Sequence, residues 1–147
     1  MNMKHVLAAS LAGGLISTVL VNTPYVSLIN VLVCAGFWIG PIVTVWLYAR
    51  MGGALTLGQA LVVGMLAGAW HGLFGLVLST VGLAGAGSLL NEVRPLVSAQ
   101  DWPDLESALT GAGGLLFNSA GVAIDVVFGF IGGLIGGVLF GAPRAIA

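Results

Sequence analysis

Two long stretches of the chain contain no Asp, Glu, Lys or Arg, and they constrain its fold more than any other feature. The first runs from residue 5 to residue 49 and the second from residue 51 to residue 91. A helix of roughly 20 apolar residues crosses a bilayer core about 30 Å thick, so each stretch has room for at least one crossing. Because only 6% of the 147 residues are charged, a water-soluble globule is excluded.

Turn-forming residues divide these stretches into predicted transmembrane helices. Asn22-Thr23-Pro24-Tyr25 is typical of a tight turn, and Gly52-Gly53 breaks the helix that Arg50 closes. We therefore predict an all-α membrane protein with a single polytopic domain, residues 1–147. Its four transmembrane helices are expected at about residues 4–21, 26–48, 57–82 and 119–140, the second kinked at Gly40-Pro41.

Most of the acidic residues fall between the third and fourth predicted helices, in an outer segment of about residues 88–110. Trp102, Leu105 and Leu109 recur there at helical spacing, which predicts short interfacial helices. Helices that bind anionic lipid usually carry Lys and Arg on their polar face, whereas this segment carries acids. We interpret these three residues as a candidate contact with a partner protein. The alternative is an interfacial linker anchored by Trp102.

The few basic residues predict an orientation and exclude one class of partner. Lys4, Arg50 and Arg144 fall on one side of the predicted topology and only Arg94 on the other, so both termini are expected in the cytoplasm. We expect a multi-pass protein of a bacterial-type inner (plasma) membrane, with the lipid bilayer as its first partner. Four Lys and Arg residues in total leave no basic surface for nucleic acid.

Glycines lie four residues apart in two of the predicted helices. Residues at this spacing share one face of a helix, and small residues let helix backbones approach closely in lipid. The first glycine stripe is Gly64, Gly68 and Gly72; the second is Gly129, Gly133, Gly137 and Gly141, with Gly132 and Gly136 beside it. Either the third and fourth helices pack on each other, or at least one stripe faces outward and receives a helix from another subunit.

Two titratable side chains, His71 and Asp125, lie within or at the edge of the predicted helices. Such groups are functional candidates because burying them in a membrane is costly. His71 lies about 22 Å along its helix from Thr56, and Asp125 about 28 Å from Arg144. Both therefore belong to the outer half of the bundle, and we hypothesise that they contact each other. The alternative is that Asp125 reaches the aqueous edge and His71 is an ordinary core residue.

Ala67 lies one helical turn before His71. A small residue followed four positions later by histidine resembles the pigment-ligating pattern of bacterial light-harvesting polypeptides. The resemblance implies that the neutral imidazole binds the magnesium of a chlorophyll-type pigment while the small residue makes room for the macrocycle. Those polypeptides have one span and this chain has four predicted spans, so the resemblance is confined to this short pattern, with His71 as the candidate ligand.

The sequence contains no arrangement typical of a catalytic or metal site: no serine beside a base, no phosphate-binding loop and no Cys/His cluster. We therefore predict no enzyme, no metal and no cofactor, although bound lipid fits the composition. The leading interpretation is a structural or accessory subunit that takes part in complex assembly and packs against partner helices, or against itself, through its glycine faces. The alternatives are a small homo-oligomeric channel or transporter and a pigment-binding subunit that uses His71.

Overall fold

The computed structural model of the chain describes residues 2–22, 35–52, 55–80, 94–109 and 111–141. These residues are all-helical, as predicted, and none of them forms a strand. The helices are α1 (Met3–Asn22), α2 (Ala35–Arg50), α3 (Leu57–Thr80), α4 (Trp102–Leu109) and α5 (Gly111–Phe140), with a 3₁₀ turn at Arg94–Leu96.

Three stretches of helix are long and apolar enough to cross a membrane: Met3–Asn22, Leu57–Ser79 and Asn118–Phe140. They correspond to the first, third and fourth predicted spans. The prediction of four spans is not confirmed, because residues 23–34 of the second span lie outside the described residues. Its described part, α2, has 16 residues, or about 24 Å of helix, which is short of a full crossing. The predicted positions 81–82, 88–93 and 110 also lie outside the described residues.

Local signals in the sequence explain where the helices begin and end. Thr56 and Gln59 form a reciprocal cap at the start of α3. The backbone amide of Gln59 donates to Thr56 Oγ1 at 3.3 Å, and the backbone amide of Thr56 donates to Gln59 Oε1 at 3.1 Å. Asn2 caps α1 by accepting from the Lys4 amide at 3.1 Å. After α2, Gly52 adopts a φ of +83°, a left-handed conformation that ends helices and favours glycine.

The four long helices pack into one bundle. α2 and α3 contact each other, and α1 and α5 each pack against both of them. Contacts between named residues show that α1 runs antiparallel to α2 and that α5 runs antiparallel to α3. A cluster of buried apolar side chains, including Val6, Val45, Tyr48 and Val63, fills the end of the bundle where α1 begins and α2 ends.

The described part of the outer segment folds as a 3₁₀ turn followed by the short helix α4. Ser98 lies between the 3₁₀ turn and α4. Its hydroxyl donates to Asp101 Oδ2 at 2.6 Å and accepts from the backbone amide of Asp101 at 3.1 Å. The guanidinium of Arg94 lies 5.4 Å from the centre of the Trp102 ring, a cation–π distance. α4 packs against α5, and the Ala108 carbonyl lies directly over Gly113, which has no side chain to obstruct it.

Candidate functional site

The first glycine stripe lies against the second across the interface between α3 and α5. A Cβ atom added to Gly64 would lie 2.5 Å from both the carbonyl oxygen of Gly129 and the Cα of Gly133. Real Cβ contacts are essentially never that short, so any side chain at Gly64 would push the two backbones apart. This interface depends on bare backbone on both helices.

The same stripe continues toward Asp125. A Cβ at Gly68 would meet the backbone carbonyl of Asp125, and one at Gly72 would lie 2.9 Å from the Cα of Val122 and 3.1 Å from Asp125 Oδ2. Gly72 therefore has a second role besides close backbone approach. It leaves the space that the carboxylate of Asp125 occupies.

Gly133 and Gly137 of the second stripe are also covered by the chain itself. A Cβ at Gly133 would lie 2.7 Å from the carbonyl oxygen of Ala60, and one at Gly137 would lie 2.8 Å from the Cβ of Ala60. Gly141 differs from the other members of the stripe. Its nearest neighbour is the carbonyl of Gly137, to which its amide donates at 3.0 Å, so it ends α5 instead of contacting α3.

The parallel row on α5 contacts a different helix. A Cβ at Gly132 would lie 2.6 Å from the Trp38 carbonyl oxygen and 2.7 Å from the Cβ of Pro41, and one at Gly136 would lie 2.8 Å from the Cβ of Val45. The two glycine rows of α5 therefore contact two different helices, α3 and α2, and both helices belong to this chain. The stripes therefore pack within the bundle, and neither faces outward to receive a helix from another subunit, which was one of the two expectations.

His71 and Asp125 lie side by side inside the bundle. His71 Nε2 is 3.6 Å from Asp125 Oδ1, a few tenths of an ångström longer than a direct hydrogen bond. The two residues are only 5% and 9% exposed. Asp125 is thus buried beside His71, in contrast to the alternative in which it reaches the aqueous edge.

Thr18 of α1 completes the site. Its Oγ1 lies 3.0 Å from His71 Nδ1 and 2.9 Å from the carbonyl oxygen of Gly14. The ring of Phe37 in α2 meets the imidazole edge-on, with 5.5 Å between the ring centres. Each of the four long helices thus contributes a side chain here. We call Thr18, His71 and Asp125 the polar site.

Sequence reasoning did not identify Thr18. The signal that could have found it is Gly14, one helical turn earlier on the same face. A Cβ at Gly14 would lie 2.5 Å from the Cβ of Trp70 and 3.1 Å from the amide nitrogen of His71, so Gly14 brings α1 against α3. The next polar residue one turn further along that face is then within reach of the imidazole.

The polar site does not fit a chlorophyll-type pigment. Ala67, the small residue of the pigment-ligating pattern, is fully buried, and its carbonyl faces Gly14 of α1. Both ring nitrogens of His71 face side chains of the same chain. The space that a macrocycle needs is therefore filled by α1. Among the described residues, no group of three or more His, Cys, Asp and Glu side chains is placed to hold a metal ion.

Two further polar contacts lie near the site, and a third polar side chain is buried beside it. Asn118 Nδ2 donates to Ser79 Oγ at 3.3 Å, which links α5 to α3 farther out, and Thr44 Oγ1 donates to the Gly40 carbonyl at 2.9 Å within α2. Ser17, beside Thr18, is 1% exposed and faces Gly40 of α2, and its hydroxyl has no hydrogen-bond partner among the described residues.

The candidate partner residues of the outer segment lie on α4. Trp102 and Leu105 are half-buried, Trp102 lies beneath the Arg94 guanidinium, and the side chain of Leu109 lies outside the described part of the chain. Exposed acids flank them on the same segment, including Asp104 and Glu106. The helix therefore carries a partly covered aromatic residue within an acidic surface.

Comparison with known proteins finds no matching family profile, no matching curated protein and no matching solved structure.

Proposed function

We propose that this chain is a small integral membrane subunit with a structural or accessory role in a larger assembly. The observation that carries the proposal is the way the helices meet: α5 is held against α3 and α2 by backbone contacts of its glycines. Such contacts give a rigid bundle that supports other helices and leave little room for a pathway through its middle. A pore or transport route in this protein would have to form between copies of the chain.

The proposal includes a fourth span and an orientation. α2 lies within the bundle, antiparallel to α1, and packs on α1, α3 and α5, which supports a second crossing that begins before residue 35. This arrangement brings Lys4 and Arg50 to the same end of the bundle. By the positive-inside rule that end is cytoplasmic, in a bacterial-type inner membrane, with both termini on the same side.

Partner contacts then belong to the outer faces of the bundle, because the glycine stripes are already covered. α1 presents one continuous apolar face, whose exposed members are Met3, Leu7, Leu11, Leu15 and Val19. In a membrane such a face meets lipid chains or another helix. On the outer side, α4 with Trp102, Leu105 and Leu109 is the proposed contact for a partner domain.

The test is purification of the tagged full-length chain from its native membrane in a mild detergent. We expect a discrete complex in which this chain is present in fixed ratio to at least one different membrane subunit. A symmetric assembly of this chain alone would favour the channel or transporter instead, and a lone monomer from fully solubilised membranes would contradict an accessory role.

A matched pair of variants shows whether the complex needs the folded bundle. Gly133→Leu fills the α3–α5 interface, whereas Gly121→Leu adds the same side chain where a Cβ meets nothing within 4 Å. We expect the first variant to lose the complex and the second to retain it.

A further inference from the structure

The hydroxyl of Thr18 determines how protons are arranged in the polar site. Thr18 Oγ1 has one hydrogen to donate and two acceptor positions nearby, the Gly14 carbonyl oxygen at 2.9 Å and His71 Nδ1 at 3.0 Å. If the hydroxyl donates to Nδ1, a neutral imidazole carries its proton on Nε2, facing Asp125. If the hydroxyl donates to Gly14, Nδ1 carries a proton and donates it to Thr18 Oγ1.

The net charge of the site differs between arrangements. A neutral imidazole beside an ionised Asp125 places an uncompensated negative charge among four apolar helices. One additional proton makes the net charge of the site zero. The pair is then either an imidazolium beside a carboxylate or a neutral imidazole beside a carboxylic acid. Burying an unpaired charge in a membrane is strongly unfavourable.

No charged group in the described residues compensates a negative charge at Asp125. α1 contributes Thr18 to the site, and its own Lys4 and His5 lie about 20 Å away along the helix. α2 contributes the Phe37 ring, and its Tyr48 and Arg50 lie at the opposite end of the bundle. In the described part of the outer segment the charged residues are Arg94, Asp101, Asp104 and Glu106, and all four lie outside the four long helices.

We propose that His71 and Asp125, whose Nε2 and Oδ1 atoms lie 3.6 Å apart, form a proton-binding site that holds one proton on Nε2 or on Oδ1, while Nδ1 keeps its own proton and donates it to Thr18. The proton comes from water and neutralises the charge that Asp125 would otherwise bring into the bundle. Bound in this way, it joins α1, α3 and α5 through a single connected set of polar groups. Gly72 serves the site by leaving room for Oδ2, which lies 3.1 Å from where its Cβ would be.

Nitrogen-15 nuclear magnetic resonance of the full chain in neutral lipid bilayers tests the proposal. His5→Gln leaves His71 as the only histidine, so its two ring nitrogens can be assigned directly. At neutral pH we expect Nδ1 to carry a proton. A bare Nδ1 with the proton on Nε2 would mean that Thr18 donates to the imidazole, and it would overturn the proposal.

Infrared spectroscopy of the same sample locates the remaining proton. We expect either a carboxylic-acid carbonyl band that Asp125→Asn removes, or protons on both imidazole nitrogens beside an ionised carboxylate. A carboxylate together with a singly protonated imidazole would contradict the proposal. Thr18→Val removes the acceptor of Nδ1–H and is expected to shift the imidazole proton toward Nε2, whereas Ser17→Ala, on the adjacent position of α1, is expected to leave the imidazole spectrum unchanged.

Discussion

α5 and α1 both pack against the central helices α2 and α3, but through different kinds of contact. α5 meets its neighbours through glycines, and an added Cβ at Gly64, Gly129 or Gly133 would lie between 2.5 and 2.7 Å from an atom of the opposing backbone. α1 has glycines too, Gly13 and Gly14, but it also buries the hydroxyls of Ser10, Ser17 and Thr18.

Both contacts are expected to be sensitive to added carbons, at Gly13 and Gly14 of α1 as well as at the glycines of α5, but the α1 contact also contains several buried hydroxyl groups. The α5 interfaces depend on the absence of side-chain atoms, so adding a single carbon is expected to weaken them. The α1 interface depends partly on particular oxygen atoms, so removing them is expected to matter only where they have partners. Helices in lipid gain little from burying apolar surface, so shape and hydrogen bonds carry the difference.

The largest effect is expected where a branched side chain enters the α3–α5 interface. In Gly133→Leu, the new Cβ would lie 2.7 Å from the Ala60 carbonyl oxygen and 3.2 Å from the Cα of Gly64. We expect a loss of about 3 kcal/mol or more in the free energy of unfolding, measured by circular dichroism in detergent. Gly121→Leu on the same helix is the control, and equal stability of the two variants would refute a glycine-dependent interface.

A single methyl group tests the same interface more finely. Gly68→Ala would place a Cβ against the backbone carbonyl of Asp125, whereas Gly75→Ala on the same helix meets nothing within 4 Å. We expect Gly68→Ala to lower the free energy of unfolding by about 1–3 kcal/mol. Gly75→Ala is expected to be neutral or stabilising, because alanine favours helix over glycine. If Gly75→Ala were destabilised and Gly68→Ala were not, close backbone contact would not be what makes a glycine necessary in α3.

A smaller effect is expected at the polar site. Thr18→Val keeps the shape of the side chain but removes the oxygen that lies 3.0 Å from His71 Nδ1. Hydrogen bonds between membrane helices contribute about 0.6 kcal/mol on average. We therefore expect Thr18→Val to lower the free energy of unfolding by a similar amount, measured by thermal unfolding. In a His71→Leu background the same substitution should cost less, and equal costs in both backgrounds would show that Thr18 and His71 are not coupled.

The smallest effect is expected at Ser17. Its hydroxyl is buried and has no hydrogen-bond partner in the part of the chain that the structure describes, and an unmade hydrogen bond costs free energy in the folded state. We expect Ser17→Ala to leave the free energy of unfolding unchanged within about 0.5 kcal/mol or to raise it. A clear loss of stability would mean that Ser17 makes a contact through its oxygen after all.

The sequence predicted the helical class, three of the spans and the residues at which α2 ends and α3 begins. Those boundaries depend on local chemistry, such as the Thr56–Gln59 cap and the positive φ of Gly52. The fourth span is not confirmed, because the described part of α2 begins only at Ala35.

The neighbours of each face were harder to predict than the faces. Spacing places Gly129 and Gly133 on one side of a helix, but it does not say which helix lies against them. Depth along the helices was sufficient to suggest that His71 and Asp125 are near each other, because both positions could be measured from helix ends. Thr18 was missed because a hydroxyl in an apolar helix has several ordinary uses, including a bond to its own backbone.

The glycine stripes are covered by helices of the same chain. Cysteine cross-linking tests this packing directly: Ser79→Cys and Asn118→Cys, in a Cys34→Ala background, place one thiol on α3 and one on α5 where the native side chains meet at 3.3 Å, without adding a carbon to either glycine stripe. On oxidation in native membranes, the account predicts a cross-link within one chain, seen as a monomer of altered mobility in a denaturing gel. Cross-linked dimers formed by this pair, without the intrachain product, would contradict it.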